Sequence, residues 1–329
     1  MATCNAMCPS SEIDFRSKNS LIDQLEATMS SRNGPRSKYV ADNKKMVKEY
    51  SRSAADTHKY NKPELLRPFS VLMTTVDYLL ELYSPFKDRL QEVSTKEFSS
   101  MFSFVSDRFR SVRQDMVMQN MRGMDSVALM EKMLPFYVET DGLCKMRKCC
   151  SYNPKLHDFQ LEECFGRWYE GVTSSKNVTP DTLIAASYFF RQLHRKPTLL
   201  QEVYFFREKL PDCTFSLIKN VILSFQSNNY YRFFLLFKSL DSLLQYSLSD
   251  SVSSLRHTAM RTISTAFKTP VARLPSRLVS DWLGFERSLD SFVDFLQLYS
   301  VIPDADGNIP VPSIKIVDIP NDDLFSRQY

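Results

Sequence analysis

The chain has 329 residues, a formal net charge of +4, 43% hydrophobic and 24% charged residues. A chain of that length can bury a large core without staples, and that composition excludes wholesale disorder. Only 7 residues are Gly, and neither G-x-G-x-x-G nor G-x-x-x-x-G-K-[ST] occurs, so the two commonest phosphate cradles are excluded and few tightly turned strands are expected.

No segment reaches the length of a membrane span, because the densest apolar patch, Tyr230 to Phe237, is broken by Arg232. The first sixteen residues carry no basic region followed by an apolar one, so no signal peptide is expected. The chain is expected in the cytosol or nucleus, with its seven Cys as reduced thiols.

Residues 1 to 16 are apolar-poor and read as extended, with a short helix from Ser20 to Met29 on Leu21, Ile22, Leu25 and Met29. Residues 31 to 62 hold nine basic residues against three acids. They read either as a solvated helix surface or as a clasp for a nucleic-acid backbone or an acidic partner. Pro63 then opens a strong helix, or Pro68 one turn later, with Leu65, Phe69, Leu72, Val76, Leu79 and Tyr83 on one face. A second spans Lys96 to Asn120, with Phe98, Met101, Phe102, Val105, Phe109, Val112 and Met116 as its stripe.

Further helical windows lie near 124–139, 155–170, 181–193, 199–209, 214–226 and 230–246. Successive amphipathic helices on short links, without a fixed period, predict a mainly α fold: an irregular α-solenoid of helix pairs. The pattern changes after Ser247. Three short helices are expected at Leu255–Phe267, Ser276–Leu283 and Ser288–Tyr299. Two strands, Ser300–Ile302 and Ile314–Ile319, follow around an Asp306-Gly307 turn. Three helices and a hairpin is the order of a winged helix. The expected organisation is therefore 1–62 extended and basic, 63–250 solenoid, and 251–329 winged helix with an acidic tail.

Cys149, Cys150 and His157 are close in sequence but read as ordinary thiols on a surface loop, and Cys4, Cys8, Cys144 and Cys149 lack knuckle spacing for zinc. No catalytic motif stands out, so neither an enzyme, a cofactor nor a metal is expected. Asp107, Arg108, Arg110, Arg113 and Asp115 form a dense charged run. The run reads either as internal ion pairing, to Asp107, Asp115 or acids of an adjacent helix, or as a face in which Arg110, Arg113 and Gln114 share a groove. Arg256, Arg261, Lys268, Arg273 and Arg277 lie in a stretch, 251–280, without any acid. They are the candidate nucleic-acid contacts, for weak and sequence-indifferent RNA or DNA binding, or else a charged face for protein.

Four ordered blocks carry a resemblance. The opening has Thr3, Cys4, Met7, Cys8, Pro9, Glu12 and Arg16. A basic block, VKEYSRSAAD, covers Val47 to Asp56. The third is LLRPFSVLMTTVDYLL, Leu65 to Leu80. The fourth is FSFVSDRFRSVRQDMVMQ, Phe102 to Gln119, with its Asp-Arg-x-Arg-x-x-Arg-x-Asp core. Together they resemble the Sac/GANP family, and LPSRLVSDWLGF with its following turn resembles, more loosely, the family's terminal winged helix. The resemblance implies a PCI-like architecture in which VKEYSRSAAD is a basic helix. It also implies a scaffold pairing with a PCI-domain protein and a small acidic subunit. The family's large members act in nuclear messenger-RNA export. This sequence carries no Phe-Gly-rich extension, acetyltransferase-like region or centrin-recruiting helix, and so resembles the short single-domain animal members, associated with centrosomes and mitotic spindles. A non-catalytic adaptor in the nucleus and cytoplasm, or at the centrosome or spindle, is the expectation, with a nucleic-acid-binding factor as the alternative.

Overall fold

The computed structural model describes residues 2–29, 39–51, 62–175, 177–285 and 289–316. The described residues are mainly helical and divide into two compact units. One comprises residues up to 140 together with 147–178; the other comprises 141–146 together with 179 onward.

The first unit is built on four long helices. After a 3-10 turn at Pro63–Leu65, α2 runs from Phe69 to Asp88. Its start follows Pro68, whose ring fixes an extended residue in front of the first turn. The shorter helix α1, Ser10–Lys18, precedes it in the chain. Helix α3 spans Thr95–Met118 and opens on a capping box, in which Ser94 Oγ accepts from the Glu97 N–H and the Glu97 carboxylate accepts from the Ser94 N–H. Helices α4, Met124–Arg147, and α5, Pro154–Ser174, complete the set, and α4 supplies residues to both units. Every member of the apolar stripe predicted for α3 is buried. Phe102, Phe109, Phe136 and Tyr83 meet edge-on or stacked at 5.1–6.2 Å between ring centroids, the geometry ring quadrupoles favour.

The N-terminal region departs from the sequence reading. Helix α1 lies where an extended chain was expected. The predicted helix 20–29 is instead a 3-10 turn at Gln24–Glu26 followed by β1, Ala27–Met29, paired antiparallel with β2, Tyr39–Ala41. Apolar periodicity could not find α1, because its Phe15 points to solvent and the side chain it buries is Arg16. Residues 47–51, part of the block implied to be a basic helix, form no helix but an extended strap; 52–56 lie outside the described residues, as do Arg32, Arg36, Lys38, Arg52 and Lys59 of the basic stretch.

In the second unit, α6 (Thr182–Arg191), α7 (Leu199–Phe205), α8 (Asp212–Gln226), α9 (Tyr230–Lys238) and α10 (Ser242–Ser247) follow on short links. Helix α6 packs on both α8 and α10. The single window expected over 230–246 is broken between Ser239 and Asp241, where Asp241 caps the next helix through the Leu243 N–H. Helix α11, Ser249–Ala266, then leads to β3 (Arg273–Pro275), α12 (Ser276–Trp282), α13 (Leu289–Gln297) and β4 (Asn308–Pro310). The three expected helices are present, but the hairpin is not where the sequence placed it. Strand β4 pairs antiparallel with β3, which precedes α12, in the register Leu274↔Ile309. Residues 300–302 and 314–316 form no strand, and 317–319 lie outside the described residues. Pro303, Pro310 and Pro312 remove ladder donors on either side, and Asp304 Oδ1 turns the chain by accepting the N–H groups of Asp306 and Asn308.

Gly284 has a φ of +72°, and a Cβ there would stand 2.7 Å from Phe234 Cδ1. Gly284→Ala should therefore cost about 2 kcal/mol or more of stability through backbone strain and overpacking together, read as a lowered denaturant midpoint. An unchanged midpoint would show that Phe234 yields without cost.

Candidate functional site

Helix α3 carries the charged run, and its side chains leave in three directions. Inward, Asp115 is fully buried. Its Oδ1 accepts from Lys48 Nζ at 2.7 Å and its Oδ2 from Arg67 Nε at 2.7 Å. Arg67 goes on to donate to Ser111 Oγ at 2.7 Å and to the Met7 carbonyl at 3.2 Å, and Lys48 to the Leu65 carbonyl at 2.7 Å. Two turns earlier on α3, Arg108 pairs with Asp107, with Glu49 at 3.0 Å and with buried Glu26 at 3.3 Å. Arg16 joins the same Glu26 carboxylate and reaches the carbonyls of Leu21 and Val47, each at 3.2 Å. Burial opposes the charge on Arg108, but Glu26, Asp107 and Glu49 outweigh it and raise its pKa above the ordinary value.

These charges also hold the strap of residues 47–51. The N–H of Val47 donates to Glu26 Oε1 at 2.9 Å, that of Lys48 to the Met7 carbonyl at 3.0 Å, and that of Glu49 to Glu12 Oε1 at 2.8 Å. The N–H of Tyr50 donates to Asp107 Oδ2 at 3.3 Å, and that of Ser51 to Gln114 Oε1 at 3.4 Å. An extended segment without a ladder must satisfy its donors elsewhere, and here side chains of α1 and α3 supply most of the acceptors. Burial raises the Glu12 carboxyl above the ordinary range, partly offset by the Glu49 N–H it accepts.

Toward α5, Arg113 is buried and donates to the Gln160 carbonyl at 3.1 Å, Glu163 at 3.2 Å and Cys164 Sγ at 3.3 Å. Burial pushes the Cys164 thiol up. Arg110 alone of the three arginines points outward, half-buried, with its guanidinium 3.9 Å above the Tyr50 ring and no ion pair to a described residue. It lines a groove with Arg113 and Gln114. The run thus divides between the two sequence readings: Arg108 pairs with Asp107, and Arg113 with an acid of an adjacent helix, while Arg110 faces the groove. The partners of Asp115 are neither in the run nor on a neighbouring long helix. Lys48 and Arg67 come from the segment before α2, and Glu26 from before β1. Composition gave no sign of Glu26, Lys48 or Arg67 as counterions; Arg16, Lys48 and Arg67 did fall inside the ordered blocks.

The five basic positions of 251–280 separate. Arg256 is a correction: it is buried, donating to the carbonyls of Leu283 at 2.9 Å and Gly284 at 3.3 Å, with its guanidinium 3.7 Å over Phe285. It is not available to phosphate. Arg273 is exposed but paired with Asp304 at 3.2 Å. Arg261, Lys268 and Arg277 are exposed, and no described acid pairs with them. His157, raised beside Cys149 and Cys150, is buried, with Nε2 2.8 Å from the Tyr137 carbonyl. Cys149 is buried and Cys150 exposed beside Ser99. Among the described residues, no three His, Cys, Asp or Glu side chains gather as metal ligands, and no helix is long and apolar enough to cross a membrane.

The SAC3/GANP family model matches residues 7–303. Because the match spans most of the chain, the protein belongs to the SAC3/GANP family. It is similar to SAC3 family protein B of Arabidopsis thaliana, 24% identical over 87% of this chain and 17% of that protein. It is also similar to Protein xmas of Drosophila melanogaster, 23% identical over 99% of this chain and 16% of that protein. With SAC3 family protein 1 of Schizosaccharomyces pombe it shares 24% identity over 94% of this chain and 31% of that protein. The chain thus spans about a sixth to a third of the length of these relatives.

Removing Asp115 strands two cations in the core, so Asp115→Ala should cost about 3–5 kcal/mol in equilibrium unfolding. Arg110→Ala, which loses only a half-exposed stack, should cost under about 1 kcal/mol. Equal losses would contradict the division between inward and outward arginines. Thiol labelling gives an independent check on burial. In the native protein Cys150 and Cys213 should react quickly and the other five thiols only on unfolding; burial also holds the Cys8 thiol well above its ordinary range.

Proposed function

We propose that the chain is a non-catalytic adaptor that holds protein partners together, in nuclear messenger-RNA export or in centrosome duplication and spindle function. In this reading α2 to α10 form an irregular α-solenoid and α11, β3, α12, α13 and β4 a winged helix, a PCI-like architecture. The observation that carries it is the use of charge. Apart from Arg110, the run on α3 is committed to internal partners, so the density of arginine and aspartate there serves rigidity and not catalysis. Family membership over 7–303 supports the same reading. The implied partners are a PCI-domain protein and a small acidic subunit, and the implied location is nucleus and cytoplasm, or centrosome and spindle. Affinity purification of the tagged full chain followed by mass spectrometry tests this. A PCI-domain protein should co-purify in near-stoichiometric amount, and its absence overturns the partner assignment.

A second reading, weak nucleic-acid binding through this region, rests on exposed Arg261, Lys268 and Arg277. Acidic Asp290 and exposed Asp294 on α13 disfavour that helix as the contact. With Arg256 turned inward and Arg273 paired, three phosphate contacts remain, for a slope of about −2 to −3 in log K against log salt. Fluorescence anisotropy with labelled RNA and DNA at two salt concentrations should give that slope, and Arg261→Glu with Lys268→Glu should abolish it. Binding that ignores both changes leaves the region a protein surface only.

A further inference from the structure

Two helices of the first unit each present one continuous row of side chains to the same groove. Helix α3 contributes Arg110, Arg113, Gln114 and Val117; helix α5 contributes Leu156, Phe159, Gln160 and Glu163. Both rows follow the i, i+3, i+4, i+7 spacing of a single helix face. On α5 this row shares Gln160 with the buried face, but its Leu156, Phe159 and Glu163 lie outside the core stripe of His157, Leu161, Cys164, Phe165, Trp168 and Val172. The helix thus carries apolar side chains on a second side, which no described residue covers: Phe159 is 68% exposed, Leu156 44% and, opposite on α3, Val117 48%. Such residues gathered at one groove mark a place where another chain lies, because each gains by leaving water.

The polar groups say which chemistry that chain carries. The Arg113–Glu163 pair, with Arg113 also bound to the Gln160 carbonyl, ties the two helices together and fixes the groove's width. Arg110 stands apart: stacked on Tyr50 and without an ionic partner among the described residues, it keeps its guanidinium donors for a ligand in a fixed plane. One free planar cation beside an apolar row complements a carboxylate followed by a large apolar side chain. With Arg113 tied to Glu163, Arg110 can receive one carboxylate, whereas the successive charges of a phosphate backbone would also meet the carboxylates of Glu163 and nearby Asp107, which disfavours nucleic acid as the occupant.

We propose that the α3–α5 groove is a docking site for a short acidic peptide segment of a partner protein, its carboxylate on Arg110 and its apolar anchor on Leu156, Phe159 and Val117. This goes beyond the adaptor reading, which names no surface. Peptide display against the full chain, followed by anisotropy with synthesised and labelled selected peptides, tests it. Enriched peptides should combine Asp or Glu with Leu, Phe or Trp. Their affinity should fall about tenfold or more with Arg110→Glu and with Phe159→Asp, and less with Arg110→Lys, which keeps the charge and loses the fork. Phe159 is exposed and Arg110 half-buried with no ion pair to a described residue, so melting temperatures should change little, and a melting curve on each variant verifies that the fold is intact. Enrichment of basic peptides, peptides that bind all variants equally, or an Arg110-dependent affinity for single-stranded RNA in place of peptide would each overturn the proposal. If the PCI-domain protein co-purifies equally well with Arg110→Glu while the selected peptides fail the variant test, the groove assignment fails and the adaptor reading stands.

Discussion

A carboxylate at Asp115 with no access to water is the constraint around which the first unit is organised. Left alone, it would cost several kcal/mol or take up a proton. Two cations prevent that, and neither can be supplied locally. Lys48 lies 67 positions before Asp115 and Arg67 lies 48 before it. Neutralising one side chain on α3 thus draws the strap of residues 47–51 and the turn before α2 onto it. Arg67 passes the constraint to Met7, whose carbonyl it binds, so the first residues are drawn in as well. The Arg16–Glu26–Arg108 cluster repeats the arrangement with the same signs, one buried carboxylate shared by two arginines. Partner removal at either cluster leaves an uncompensated charge, which is why such networks fix a unique arrangement even where they add little net stability.

The second unit also buries an arginine: carbonyls at the C-terminal end of α12 and the faces of Phe285 and Phe234 receive the guanidinium of Arg256. Helix ends leave carbonyls unpaired, and an arginine there completes them while its flat face packs on aromatic rings. A residue that looked like part of a cationic surface is in fact the fastener between α11 and the turn at Gly284.

What the sequence made legible was what repeats along it. Phe98 to Met116 recur at helical spacing, and the helix is there with every one of them buried. Helices α2, α8 and α13 were legible for the same reason. What did not repeat was missed. Helix α1 is anchored through Arg16, the strap through side-chain acceptors on other elements, and β3 and β4 are three residues each with proline at an end, too short for alternation to register. At the site, the charged run itself stood out, yet charge counting could not divide inward from outward arginines. That division is set by Glu26 and Glu163, distant positions that nothing local marks. Arg256 and Arg261, five residues apart on one helix, looked equivalent in sequence and ended on opposite faces.

The strap has a consequence for synthesis. A ribosome releases the N-terminus first. Arg16, Glu26, Lys48 and Arg67 therefore emerge well before Arg108 and Asp115, which complete both clusters. Until α3 is out, Glu26 and the strap donors lack part of the set that will bury them, and closing the loop back from Asp115 must await the last turn of that helix. The first hundred residues are in effect held in waiting. Until then the strap and the buried groups of its two clusters stay open to a chaperone or protease, and they close only after Asp115 has emerged.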